Sequence, residues 1–355
     1  MALMALDLDT LRALPKVALH DHLDGGLRPQ TLLDIATEIG HVLPGDDADS
    51  LGDWFFDAAD SGSLVRYLQT FDYTIAVMQR AEDLRRVARE FVEDQAADGV
   101  VYAEARWAPE QHQRAGLTLA EAVAAVRDGL VDGMTACAGA GTPIIVRQII
   151  TAMRQGDAGL AIAELAVDQR DALIGGFDIA GPEDGFPPSR LAEAFAHLQR
   201  HNLPYTIHAG EAAGVESIWE AVQLLGADRI GHGVRIVDDL VDGEVVPGTL
   251  AAYVRDRRIT LEICPTSNLQ TGIAATYAEH PFGQLARLGF AVTVSCDNRL
   301  MGRTTLSQEF SHLCAAFGYG LAELEGFTRN ALTAAFIDEP ERTRLEARIA
   351  QAYRA

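Results

Sequence analysis

Eight short apolar, β-branched runs recur along this 355-residue chain, most of them separated by stretches with helical spacing. They are Val17–His22, Val100–Arg106, Ile144–Thr151, Ile174–Ala180, Tyr205–His208, Arg229–Gly233, Ile259–Cys264 and Ala291–Cys296. Runs this apolar suit strands of a parallel sheet covered by helices. Leu119–Val131, Gly159–Asp171, Arg190–Arg200 and Ser217–Leu225 supply such helices. The alternation predicts an α/β chain forming a (β/α)8 TIM barrel, one domain over residues 1–355. A doubly wound open sheet is the main rival. Its phosphate turn is missing, because Asp24-Gly25-Gly26 after the first strand lacks GxGxxG spacing.

The first two strands are nearly eighty residues apart, far more than one helix needs. The excess, residues 41–80, is predicted to be a helical insertion. Within it Leu64, Tyr67, Leu68 and Phe71 fall at i, i+3, i+4, i+7 and share one helix face. Such a stripe by default packs on the barrel body. Its place after the first strand also suits an apolar lid over the mouth formed by the βα loops. Leu306–Ala355 reads as closing helices without chemistry.

A net charge of −22 argues against a nucleic-acid polymer as partner, since phosphate binding is carried by Lys and Arg. The acidic residues are spread along the chain, as solubility alone would have them. No apolar run reaches bilayer-spanning length. Met1–Thr10 carries Asp7 and Asp9 and lacks the basic start of a secretory signal. Cys137, Cys264, Cys296 and Cys314 show no CxxC spacing, so neither a disulfide framework nor a thiolate zinc site is indicated. A cytoplasmic protein is expected; oligomeric state has no signature.

Chemistry gathers where the strands end. In Leu19-His20-Asp21-His22 the side chains alternate, so His20 and His22 face one way and Asp21 the other. Alone, this pair is as readily a hydrogen-bonded pair as a metal site. The fifth strand ends in His208-Ala209-Gly210-Glu211, the sixth in Gly231-His232-Gly233, the eighth in Cys296-Asp297-Asn298. Singly, each has a bland explanation, a rim histidine or a helix N-cap. In a barrel, however, all these ends form one rim, with strand 8 beside strand 1. Convergence there points to a metal-assisted proton-transfer site.

LHDHLDGGLRP, FDIAGPE, TIHAGE, DRIGHGVRI, LEICPTSN and SCDN, in that order, resemble the adenosine deaminase family of the amidohydrolase superfamily, its bacterial and especially actinobacterial branch. YAEARWAPE and TAMR add to the likeness. The resemblance implies one zinc ion per chain, bound by His20, His22, His208 and Asp297. It further implies that Glu211 faces purine N1, that His232 contacts the attacking water, and that Asp24 and Gly181 hold the ribose and N3 edges. Leu64, Tyr67 and Phe71 match lid positions. The implied reaction is hydrolysis of adenosine or 2′-deoxyadenosine to the inosine compound and ammonia.

The chemistry agrees with these roles. Zinc lowers the pKa of a bound water to about 7. His232 and Asp297 can take or steer the water's proton, and a protonated Glu211 can supply N1. The other zinc-deaminase plan, with H-x-E and P-C-x-x-C, is absent. One departure stands out: the family usually has a second aspartate where this chain has Asn298, whose amide carries donors at every pH. That leaves a sister activity on an N6-substituted or C5′-modified adenine nucleoside as the close alternative. A silent nucleoside-binding barrel would be expected to have lost Glu211 or a ligand, and a Schiff-base aldolase barrel would need a lysine at a strand's C-terminal end. The only lysine, Lys16, precedes the first strand.

Overall fold

In the computed structural model, which describes residues 6–354, the eight predicted runs form eight parallel strands. They are β1 (Lys16–His22), β2 (Val100–Trp107), β3 (Ile145–Met153), β4 (Ile174–Ala180), β5 (Thr206–Ala209), β6 (Arg229–His232), β7 (Thr260–Ile263) and β8 (Val292–Val294). β1 to β4 pair in order, as do β5 to β8, and a single parallel bridge closes each seam. Phe177 meets Tyr205 between β4 and β5, and Asp21 meets Asp297 between β8 and β1. The rival open sheet is excluded, and the barrel stands. Residues 1–5, part of the Met1–Thr10 stretch, lie outside the described residues.

Five helices separate β1 from β2: Pro29–Ile39, Ala48–Ala59, Leu64–Leu68, Phe71–Val77 and Ala81–Ala97. The insertion is helical as predicted, but the Leu64–Phe71 stripe is split between two short helices. Thr70 Oγ1 donates to the Tyr67 carbonyl at 2.7 Å, and the backbone bonds there tighten to i+3. The Ser217–Leu225 helix also starts earlier, at Val215, and widens into a π turn over Glu220–Leu224. Helices Leu306–Phe317, Leu321–Ala334 and Glu339–Ala352 close the chain.

At the N-terminal end of the barrel Lys16 is fully buried, its ammonium donating to the carbonyls of Leu11 (2.7 Å), Leu14 (2.9 Å) and Arg12 (3.3 Å). These include orphan acceptors at the end of helix Leu8–Ala13, so the lysine ties that helix to β1. On the outer wall, helix Leu119–Gly139 lies against Ala81–Ala97 through Gly129 and Gly133. A Cβ at Gly129 would come within 2.2 Å of the Arg85 carbonyl. Gly129→Ala is therefore expected to destabilise by about 1–3 kcal/mol through overpacking, outweighing the roughly 1 kcal/mol of helix propensity alanine offers. Urea unfolding checks the sign; a more stable variant would show that the two helices can part freely.

Candidate active site

The seam between β8 and β1 carries the chemistry. His22 N–H donates to the Asp297 carbonyl at 2.7 Å and Asp297 N–H to the His20 carbonyl at 2.9 Å. The side chains of His20, His22, His208 and Asp297 converge, each offering an atom within 4.8 Å of the others. Asp297 Oδ1 lies 3.4 Å from His20 Nε2 and 3.3 Å from His22 Nε2. Asp21, on the opposite face of β1 as alternation requires, pairs with Arg299 and Gln95 outside the cluster. Asp297 and His232 both adopt positive φ, 62° and 59°, a conformation that surrounding structure must hold in place.

Two of the imidazoles have a carboxylate behind them. His20 Nδ1 is 3.0 Å from Glu262 Oε2, and His208 Nδ1 is 2.8 Å from Asp178 Oδ2. Both histidines thus turn Nε2 toward the cluster, where His20 Nε2 is buried without a hydrogen-bond partner. Arg106 joins the two carboxylates, donating to Asp178 at 2.9 Å and Glu262 at 2.8 Å. Arg229 donates to Glu262 from the other side at 2.6 Å. Burial would raise the Glu262 carboxyl, but these two guanidiniums and His20 hold it well below the ordinary value. Removing the carboxylate behind His208 should loosen that ligand: Asp178→Asn is expected to lower affinity for a divalent metal about 10- to 100-fold, read by competition with a chelator.

Glu211 sits on the loop after β5, and a second glutamate fixes that loop. Glu183 accepts the backbone N–H groups of Gly210, Glu211, Ala212 and Ala213 at 2.6 to 3.0 Å, and the Ser217 hydroxyl at 2.6 Å. Glu211 Oε2 is 3.5 Å from His232 Nε2, and its Oε1 is buried without a partner. Burial, then the charges of Asp297 and Glu183, push its carboxyl well above the usual range, which favours its acid form. Asp297 is the opposite case: burial would raise it, but the hydrogen bond and charge of His20, then His22 and His232, keep it ionised. Ser267 Oγ also donates to its Oδ2 at 2.6 Å.

Beside the cluster lies a cavity of about 340 Å³ lined in part by His22 and Asp24. Burial raises the Asp24 carboxyl to about 7, and its Oδ1 has no partner. Gly181 lines the far wall at φ 108°, where a Cβ would strike Gln155. Phe71 lines the cavity, as do Val65 and Leu68; Leu64 and Tyr67 do not. Tyr67 is buried instead against the eighth strand's end, its hydroxyl accepting from Asn298 Nδ2 at 2.9 Å. Larger cavities of about 570 and 710 Å³ lie away from the histidines.

Sequence reasoning missed Asp178, Glu183, Glu262 and Arg106. Their signal was a charged residue inside an apolar run or at its end, as in Tyr102-Ala103-Glu104-Ala105-Arg106 and Thr260-Leu261-Glu262-Ile263. Cys264, set aside in the sequence for want of CxxC spacing, can join His20, His232 and Asp297 in an alternative donor group. Burial pushes that thiol well above its ordinary value, which disfavours the thiolate a metal would need.

Fold and site together define a barrel of the amidohydrolase class with a three-histidine, one-aspartate centre at its C-terminal rim. A family model described as adenosine deaminase matches residues 15–352, and the chain belongs to that family. A curated relative from Streptomyces coelicolor, adenosine deaminase 1, is 56% identical over 338 residues, covering 94% of this chain and 85% of its own. Among solved structures, an amidohydrolase from Burkholderia ambifaria with bound zinc is 27% identical at a TM-score of 0.86, covering 100% of this chain and 94% of its own. The N6-methyl-AMP deaminase of Arabidopsis thaliana is 25% identical at 0.81, covering 98% and 99%.

Proposed function

We propose that this protein hydrolyses adenosine and 2′-deoxyadenosine to inosine and 2′-deoxyinosine plus ammonia, with zinc as the resident metal. The observation that carries the reading is the convergence of Asp297 and three histidines, with the buried, unpartnered Oε1 of Glu211 beside them and its Oε2 3.5 Å from His232 Nε2. Three imidazoles, one carboxylate and an unpartnered buried His20 Nε2 suit a zinc ion. Zinc there would supply a nucleophile by lowering the pKa of water to about 7.

The chain's own groups do the rest. Glu211 gives its proton to N1, so that C6 can accept the attacking oxygen and become tetrahedral. Asp297, with His232 alongside, takes the water's proton and passes it to the departing amino nitrogen. The C6–N bond then breaks, ammonia leaves, and the remaining hydroxyl proton restores the acid form of Glu211. Asp24 and Gly181 are assigned to the ribose and N3 edges, Asn298 to N7, and Phe71, with Val65 and Leu68 in place of the expected Leu64 and Tyr67, to an apolar lid.

The cavity favours a nucleoside over a nucleotide. Among its described lining residues are Asp24 and Asp72 but no lysine or arginine, so a 5′-phosphate would meet like charge without a counter-ion. The sister reading, an N6-substituted or C5′-modified nucleoside, rests on Asn298 and the helices over the cavity. Among the described residues no helix is long and apolar enough to cross a membrane. The four cysteines are unpaired thiols, in keeping with a cytoplasmic setting.

Ultraviolet absorbance of adenosine incubated with the protein tests the reading. Conversion to the inosine spectrum, abolished by chelation and restored by zinc, is expected. No conversion by the zinc-loaded protein would move the assignment to a modified nucleoside. Glu211→Gln should keep its metal yet lose most turnover, since an amide cannot protonate N1; near-normal kcat would remove Glu211 from this role. Because the protonated form is the active one and its pKa is raised, kcat should hold beyond the ordinary carboxyl range and fall as pH climbs through that raised value. Asn298→Asp should alter the pH profile or purine preference while leaving metal content unchanged.

A further inference from the structure

One stretch of the sequence, Cys264-Pro265-Thr266-Ser267-Asn268, places a buried amide behind His232. Asn268 Nδ2 lies 3.2 Å from His232 Nδ1, and Asn268 Oδ1 lies 3.2 Å from His280 Nε2. His280 Nδ1 in turn sits 2.9 Å from the backbone nitrogen of Phe282. His232, Asn268 and His280 are all at most 2% exposed, so no water competes for these contacts.

The direction of every bond in this row is forced from one end. The Phe282 N–H can only donate, so His280 Nδ1 carries a lone pair rather than a proton. A neutral imidazole protonated nowhere does not exist, so the proton of His280 is on Nε2, which donates to Asn268 Oδ1. Reversing the amide would leave His280 bare at both nitrogens. The amide nitrogen therefore faces His232, and an NH2 group can only donate, which leaves His232 Nδ1 as acceptor. The neutral His232 ring accordingly carries its proton on Nε2, the atom 3.5 Å from Glu211 Oε2 and 4.0 Å from Asp297 Oδ2.

We infer that Asn268 and His280 are positioning residues that lock His232 in the Nε2–H tautomer, making it a hydrogen-bond donor to the oxygen that adds at C6 and leaving Asp297 alone to accept the water's proton. This rests on the proposed deamination and divides between two side chains the work that reading gave them jointly. A pyrrole-type nitrogen has no free lone pair in the ring plane, so Nε2 cannot serve as the base. As a donor it steadies charge growing on the oxygen as the ring is attacked, a role in which one lost donor costs about 10²–10³ in kcat. Burial lowers the His280 ring to about 4, so it is neutral at pH 7, and the amide donor facing His232 Nδ1 leaves no room for a second proton there.

The test is the tautomer itself. Full-length, zinc-loaded protein labelled with 15N-histidine is examined by long-range proton–nitrogen correlation, the His232 signals being those lost in His232→Gln. The expected spectrum shows a protonated Nε2 and a bare Nδ1. Asn268→Asp should reverse it, because a carboxylate accepts only and draws the proton to Nδ1; its kcat should drop about 10²–10³-fold at unchanged metal content. A wild-type ring bare at Nε2 overturns the inference, even if the variant fails to fold. So does an Asn268→Asp protein with the reversed tautomer and undiminished kcat. Because the spectrum needs no substrate, absence of adenosine turnover in the wild type would count against the proposed function and leave the tautomer to be judged separately.

Discussion

Barrel closure and site assembly are a single event in this protein. The β8–β1 seam is held by reciprocal backbone bonds between Asp297 and the histidine pair, and these are the residues whose side chains form the cluster. Neither strand can shift by one residue without turning its clustered side chains out of the site, because side chains alternate along a strand. The positive φ at Asp297 is held by this pairing and by the tight turn into Asn298, so strain and chemistry occupy the same residue.

Below the seam the barrel is filled by ions as well as hydrocarbon. Glu104, Arg229, Glu262, Arg106 and Asp178 form a buried row that ends on His20 and His208. Desolvating such charges costs several kcal/mol each, and breaking one pair typically costs about 3–5 kcal/mol. Apolar replacements of similar volume can be as stable, so the row is better understood through what it orients. Glu262 orients the imidazole of His20 and Asp178 that of His208, and the guanidinium of Arg106 ties the two orientations together. The Glu183 cradle does the same for Glu211 by holding four consecutive backbone amides.

The sequence displayed the clustered side chains because each follows from a local pattern: alternation for His20 and His22, a strand end for His208, His232 and Asp297. The architecture was equally plain, since eight apolar runs have few other ways to be buried. The supporting residues had no such signature. Glu262 lies 242 residues from its partner His20, and nothing near either residue announces the other. Asn268 stood inside a recognised stretch, yet its orientation depends on a backbone N–H beyond His280. Periodicity also misjudged the Leu64–Phe71 stripe, where the Thr70 hydroxyl competes with the helix for a carbonyl. Tyr67 consequently points its hydroxyl at Asn298 while Val65 and Leu68 face the cavity.

The buried Lys16 has a consequence for how this protein meets reagents and enzymes. It is the only lysine in the sequence and is buried, so arginine is the only permanently charged basic side chain left for the surface. Acylation, ubiquitin-like tagging or amine-directed coupling therefore finds no side-chain target on the folded molecule. Burial lowers its ammonium to about 8, so a neutral amine is accessible at mildly alkaline pH, but only once helix Leu8–Ala13 has lifted from the barrel. A single amine sealed under the barrel floor makes the rate of its covalent capture a direct clock for the opening of that end.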